Sequence, residues 1–194
     1  MLLEKLNTYN IILGSASPRR KELLEQIGVS CTTLICNQEE VLPINIERVK
    51  IAEFLAKQKA DYLKVNLKSN DILITADTIV IWNKQILNKP KNKEEAQTML
   101  HQLSGEKHTV VTGTCLSTVK RTHSFSVATE VHFKDISDEE INYYITNYLP
   151  FDKAGAYGIQ EWIGQIGIRK IDGSYSNVVG LPTAELYQKL NDFI

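Results

Sequence analysis

The segment Asp71 to Trp82 is apolar almost throughout, and it constrains the fold more than any other stretch of the chain. A run rich in Ile and Val, followed by a turn at Asn83-Lys84 and a return through Gln85 to Leu87, reads as a core strand with a hairpin partner. Around it the periodicity alternates. Tyr9 to Leu13 reads as a buried strand, Pro18 to Gln26 as a helix with Leu23, Leu24 and Ile27 inward and Gly28 as its stop, and Ser30 to Cys36 as a second strand. A long helix is expected from Ile46 to Leu63 and another from Glu94 to Leu103, ended by Ser104-Gly105. His108 to Lys120 and His123 to Lys134 read as a hairpin around Arg121-Thr122. Asp138 to Tyr148 should be a helix capped by Ser137 and stopped before Pro150. A strand follows near Gln165 to Ile171, and a closing helix starts at Pro182. Strands interleaved with helices, plus a hairpin, predict an α/β fold on a mixed sheet.

A chain of 194 residues with 43% hydrophobic side chains fits one domain, residues 1–194. The formal charge of −1 gives no global field to draw it onto nucleic acid or an anionic membrane, so neither is expected as a partner. The start, Met1 to Asn7, lacks a charged segment followed by an adequate apolar core, and no apolar run approaches the roughly 20 residues of a spanning helix. A cytoplasmic location is the expectation. Cys31 and Cys36 would lie on opposite faces of a strand and Cys115 stands alone, which argues against a disulfide framework. His101, His108, His123 and His132 show no metal-binding spacing.

Chemistry gathers elsewhere. In Ile11-Ile12-Leu13-Gly14-Ser15-Ala16-Ser17-Pro18-Arg19-Arg20-Lys21-Glu22-Leu23-Leu24, a strand ends in hydroxyl residues, Ser17 and Pro18 take the N-cap and first helical positions, and two arginines fill the first turn. Cations at that end oppose the helix dipole. A bound phosphate would relieve the conflict, because backbone N–H groups, the Ser15 and Ser17 hydroxyls and the guanidinium groups could all point at it. Asp77 interrupts the apolar run of its strand. A carboxylate withdrawn from water there needs a cation, a metal, a hydrogen-bond cluster or a proton.

The same segment resembles the opening signature of the Maf-like nucleotide pyrophosphatases, also called septum formation inhibitor proteins. Later segments match that family in the same order: Ala56-Lys57-Gln58-Lys59-Ala60, Ala76-Asp77-Thr78-Ile79-Val80, Leu87-Asn88-Lys89-Pro90, Leu103-Ser104-Gly105, Asp152-Lys153-Ala154-Gly155-Ala156-Tyr157-Gly158-Ile159-Gln160 and Val179-Gly180-Leu181-Pro182. Gly14 stands where the family usually has Ala, which should loosen the strand end. The resemblance implies an elongated twisted sheet flanked by helices, with two lobes around a cleft and the architecture of inosine triphosphate pyrophosphatases.

The resemblance also implies an activity, hydrolysis of a nucleoside triphosphate to monophosphate and pyrophosphate, and assigns roles. Asp77 falls on the general base and metal neighbour. Glu40, favoured over Glu39 by the position of the following helix, falls on an acidic metal-associated residue, and Mg²⁺ or Mn²⁺ is the implied cofactor. Lys59 and Lys89 match phosphate-contacting lysines, with Lys57 still an alternative to Lys59. Ser15, Ser17, Arg19 and Arg20 belong to the phosphate-binding turn. Gln160, whose amide donates and accepts at once, can read the N3–H and O4 edge of uracil or thymine, or else satisfy loop backbone. Arg19, Thr78 and Gln160 match the branch acting on dTTP and UTP rather than on 7-methylated guanosine triphosphate. The family further implies a homodimer, and its older name leaves a non-catalytic regulator of cell division as the other reading.

Overall fold

The computed structural model describes every residue except 39, 43 and 44. Among the described residues, seven strands form a mixed sheet in the order β2-β1-β3-β5-β6-β7, with β4 paired to β3. Strand β1 (Asn10–Gly14) lies parallel to both β2 (Thr32–Thr33) and β3 (Asp71–Trp82). The chain leaves β3 through Asn83 and Lys84, both at positive φ, and returns antiparallel as β4 (Gln85–Leu87). Strands β5 (Lys107–Ser117) and β6 (Thr122–Phe133) form the expected hairpin, its turn closed by the Thr118 N–H donating to the Arg121 carbonyl at 2.9 Å. Strand β7 (Ile168–Asp172) runs antiparallel to β6.

The helices are α1 (Leu2–Leu6), α2 (Pro18–Gln26), α3 (Arg48–Leu63), α4 (Lys93–Leu103), α5 (Asp138–Tyr148), α6 (Trp162–Gly167), α7 (Tyr175–Val179) and α8 (Thr183–Phe193). Among the described residues, none is long and apolar enough to cross a membrane.

Three expectations need correction. The second strand shrinks from Ser30–Cys36 to Thr32–Thr33, because Thr32 to Ile35 are exposed and gain little apolar burial from extending the pairing. Residues 165–167 are not strand but the end of α6, whose first turn forms when the Gly164 and Gln165 N–H groups donate to the Glu161 carbonyl at 3.0 and 3.3 Å. Gly14 does not loosen its strand. It is buried, and a Cβ placed on it would lie 2.6 Å from Thr75 Cγ2 and 2.8 Å from Leu63 Cδ1, so neighbours already fill that space.

The chain divides into two compact units, residues 1–77, 112–127 and 180–194 in the first, 78–111 and 128–179 in the second. In the first unit, α3 turns Ala52, Ala56 and Ala60 inward, all fully buried, a stripe one helical turn apart that lets the helix come close to the sheet. The approach is closest at Gly113 of β5, where a Cβ would lie 2.2 Å from backbone atoms of Ala52 and Glu53. The Thr75 hydroxyl of β3 donates to the Ala56 carbonyl at 2.6 Å and fixes the helix along its axis.

The core of the second unit is built from α4, α5 and the sheet. Leu100, Leu103, Phe133, Ile141, Tyr144, Ile145 and Ile163 pack together there. Ser137 and Glu140 form the reciprocal cap that starts α5.

Candidate active site

The turn from β1 into α2 places Ser17 at the N-cap and Pro18 at the first helical position, as the sequence suggests, but the Ser17 side chain makes no cap bond. Ser15 organises the turn instead. Its buried hydroxyl oxygen accepts from the Ser17 N–H at 3.2 Å and from Arg20 Nη1 at 3.0 Å. Arg20 Nε donates to the Gly180 carbonyl at 2.8 Å, so two of the fork's donors are tied down and the guanidinium plane is fixed. Burial pushes the Arg20 pKa below its ordinary value, while the Asp77 and Glu40 carboxylates push it up and Arg19 pushes it down. The reversed charge at the start of α2 therefore has an answer within the protein: two carboxylates offset it.

Those carboxylates meet at one cation. Lys59, on the buried-alanine side of α3, places its Nζ 2.5 Å from Asp77 Oδ1 and 2.9 Å from Glu40 Oε1. The Lys59 and Asp77 side chains are 16% and 14% exposed and Glu40 46%, so the Asp77 arm is the better shielded from water. The loop carrying Glu40 is held to α3 by Gln58, which accepts from the Val41 N–H at 3.0 Å and donates to the Val41 carbonyl at 3.3 Å. Lys57 is exposed, so of the two candidates it is Lys59 that reaches Asp77. Glu39 lies outside the described residues.

Among the described residues, no three His, Cys, Asp or Glu side chains converge as a metal cluster. The donor set on offer is thus two carboxylates that already converge on one positive group. That fits a hard, oxygen-ligated divalent ion whose remaining positions are filled by water or phosphate oxygens.

The remaining expected residues belong to the second unit. Thr78 is half-buried in β3 and Lys89 is exposed just after β4. The Lys89 segment is joined to the glycine-rich loop by the Gly155 N–H, which donates to the Asn88 carbonyl at 3.2 Å. Gly155, at φ 69°, lies against Val80, where a Cβ would stand 3.2 Å from both methyl carbons. Gln160 is exposed in the four-residue turn Gly158 to Glu161, closed by the Glu161 N–H donating to the Gly158 carbonyl at 3.0 Å.

Sequence reasoning missed a group of four side chains beside this loop. Buried Lys153 pairs with Asp152 and Glu161, at 2.7 and 3.0 Å, and the Tyr144 hydroxyl donates to the other oxygen of Glu161. The available signal was a lysine inside Ala-, Gly- and Ile-rich sequence with an acid on either side of it.

A family model described as Maf-like protein matches residues 10–193. A dTTP/UTP pyrophosphatase of Flavobacterium johnsoniae is 45% identical over 194 residues, covering all of both chains. Another of that name from Phocaeicola vulgatus is 48% identical over 190 residues, covering 97% of this chain and 98% of that one. The Ham1 protein of Staphylococcus aureus shares the fold, with a TM-score of 0.50 at 14% identity over 93% of this chain and 99% of that one. Full-length similarity of this order, together with motifs that fall on the turn, helix and strand just described, identifies the lineage: the chain is a member of the Maf-like family.

Proposed function

We propose that the protein is a nucleoside triphosphate pyrophosphatase that hydrolyses dTTP and UTP, and related modified pyrimidine nucleotides, to the monophosphate and pyrophosphate. The observation that carries this reading is the junction of Lys59 with Asp77 and Glu40, beside an arginine fixed by Ser15 and Gly180. Relatives named for dTTP and UTP support the choice of substrate.

In this reading, water attacks the α-phosphorus while Asp77 accepts its proton or orients it. The bond to the bridging oxygen breaks and pyrophosphate leaves. Arg19, Arg20, Lys59 and Lys89 offset the roughly four negative charges of the triphosphate, and Ser15 and Ser17 line the phosphate-binding turn. The Ser15 hydroxyl keeps Arg20 in place, so the guanidinium needs little reorganisation when charge develops. Asp77 and Glu40 would hold Mg²⁺ or Mn²⁺, which supplies Lewis-acid charge to the phosphate oxygens when bound. Gln160, with Arg19 and Thr78, selects the pyrimidine, its amide donating to O4 and accepting from N3–H.

A homodimer and a cytoplasmic location go with this reading. Light scattering on the purified protein tests the former.

The deciding experiment measures pyrophosphate release across dTTP, UTP, the common purine and cytosine triphosphates and 7-methyl-GTP, with and without chelator. Preference for dTTP and UTP, abolished by chelator and restored by Mg²⁺ or Mn²⁺, is the expected result. Preference for 7-methyl-GTP would move the chain to the other branch, and no hydrolysis of any nucleotide would favour a binding role.

A further inference from the structure

The turn that presents Gln160 is held from two directions. Its backbone is closed by the Glu161 N–H donating to the Gly158 carbonyl at 3.0 Å, and Gln160 occupies the third of its four positions. Ile159, before Gln160, is buried in the core of the second unit, and Gly164 of α6 sits so close to it that a Cβ there would lie 1.9 Å from the Ile159 carbonyl oxygen. The residue after Gln160 is Glu161, the N-cap residue of α6. The backbone on both sides of Gln160 is therefore anchored, while Gln160 itself faces solvent.

The second direction is a ring of side chains under the same turn. The Gly158 N–H donates to the Tyr144 hydroxyl at 3.0 Å, and that hydroxyl donates to Glu161 Oε2. Glu161 Oε1 lies 3.0 Å from Lys153 Nζ, and Lys153 lies 2.7 Å from Asp152. The Glu161 carboxylate is laid across Gly158, where a Cβ would stand 2.8 Å from its carboxyl carbon. Tyr144 is fully buried on α5, and burial, together with the Glu161 carboxylate, raises its phenol pKa, so the hydroxyl keeps its proton and remains a donor. A buried lysine beside a tyrosine–carboxylate pair costs desolvation that pure stability does not require, since apolar replacements of such groups are often as stable.

We propose that Tyr144, Glu161 and Lys153 act as positioning residues for nucleotide selection: they fix the Gly158–Glu161 turn so that the Gln160 amide meets the base in one orientation. The proposal rests on the reading in which Gln160 recognises uracil or thymine. A glutamine side chain has three rotatable bonds, so paired donor and acceptor bonds to a base gain most when the backbone beneath them is already fixed. None of the three network residues needs to touch the nucleotide.

The test compares Tyr144→Phe, Gln160→Ala and the double variant, with kcat and KM measured on UTP and on a purine triphosphate, and folding followed by thermal melts. Tyr144→Phe should lower the UTP-to-purine ratio of kcat/KM about 5- to 30-fold, the size expected when a buried N–H and a carboxylate lose a partner. The loss should fall mainly on KM for UTP. The double variant should be no less selective than Gln160→Ala alone, because both changes remove one interaction. Glu161→Gln, which still offers an acceptor to the Tyr144 hydroxyl, should keep most of the selectivity that Glu161→Ala loses. That pair carries the same comparison if Tyr144→Phe does not fold.

Loss of selectivity in Gln160→Ala with none in Tyr144→Phe or Glu161→Ala overturns the positioning role and leaves the base reading standing. Equal loss on UTP and purine in Tyr144→Phe makes the network purely structural and also overturns it. Unchanged selectivity in Gln160→Ala overturns the base reading, and the positioning role with it.

Discussion

Replacing Lys59 with Met keeps an apolar stem of similar reach and removes only the ammonium that joins Asp77 to Glu40. In the wild type, a divalent ion arriving at these carboxylates must displace that ammonium. Two unit charges about 4 Å apart interact by about 4 kcal/mol at an effective dielectric of 20. The Glu40 arm is half-exposed and screened, contributing at most about 1 kcal/mol, so the shielded Asp77 arm dominates. Allowing the displaced ammonium to recover most of its hydration leaves a net cost to the metal of about 1.5 to 3 kcal/mol. Lys59→Met should therefore bind Mn²⁺ about 10- to 150-fold more tightly than wild type in the absence of nucleotide. Turnover should fall in the same variant, because the proposed reaction uses this cation to offset the triphosphate charge. Titration calorimetry with Mn²⁺ alone reads the first effect and pyrophosphate release reads the second. Unchanged or weaker Mn²⁺ binding would refute the reasoning, since it would mean that the lysine and the metal do not compete for one place.

Asp77→Asn should lower turnover at least about 100-fold with an unchanged circular dichroism spectrum, and near-normal turnover would remove Asp77 from the chemistry. Glu40→Gln should raise the metal concentration needed for half activity more than Glu39→Gln does; the reverse order would move the acidic role by one residue. Under the proposed base reading, Gln160→Glu places an acceptor where an amide donor would face O4, so kcat/KM for dTTP and UTP should drop about 5- to 150-fold while a purine triphosphate loses far less. His108 is 3% exposed, and burial pushes its pKa from 6.5 down to about 3, so it stays neutral in the fold at pH values where the unfolded chain protonates it. Stability should then fall as pH drops below about 6.5, by up to about 1.4 kcal/mol per pH unit. Urea melts at pH 7 and 5 should show about 2 kcal/mol less acid sensitivity in His108→Gln, and equal sensitivity would locate the effect elsewhere.

What the sequence disclosed depended on how local the cause was. Asp71–Trp82 has the bounds that its apolar run suggests, and α5 begins at Ser137 because a serine and a glutamate three residues on cap each other without outside help. Asp77 stood out because a carboxylate in an apolar strand demands a partner. The partner itself was not legible in the same sense: the resemblance offered Lys59 as a phosphate contact and gave no sign that it pairs with Asp77 and Glu40 in the fold. Gly113 carried no local signal at all, since its reason is the backbone of α3 lying against it. The strand expected from Gln165 failed for a related cause. Helix α6 starts on the carbonyl of Glu161, whose side chain is fixed by Tyr144 and Lys153 from elsewhere in the chain. The pattern of a six-residue segment cannot report that.

The bond from Arg20 to the Gly180 carbonyl spans 160 positions of sequence. During synthesis, at about 5 to 20 residues per second, the arginine is added to the chain about 8 to 32 seconds before its carbonyl partner. For that interval the Arg20 Nη1–Ser15 bond can form in the β1–α2 turn, while Arg20 Nε still lacks the carbonyl it uses in the fold. A chain ended before Gly180 thus carries its most recognisable motif with the Arg20 guanidinium held by one bond fewer.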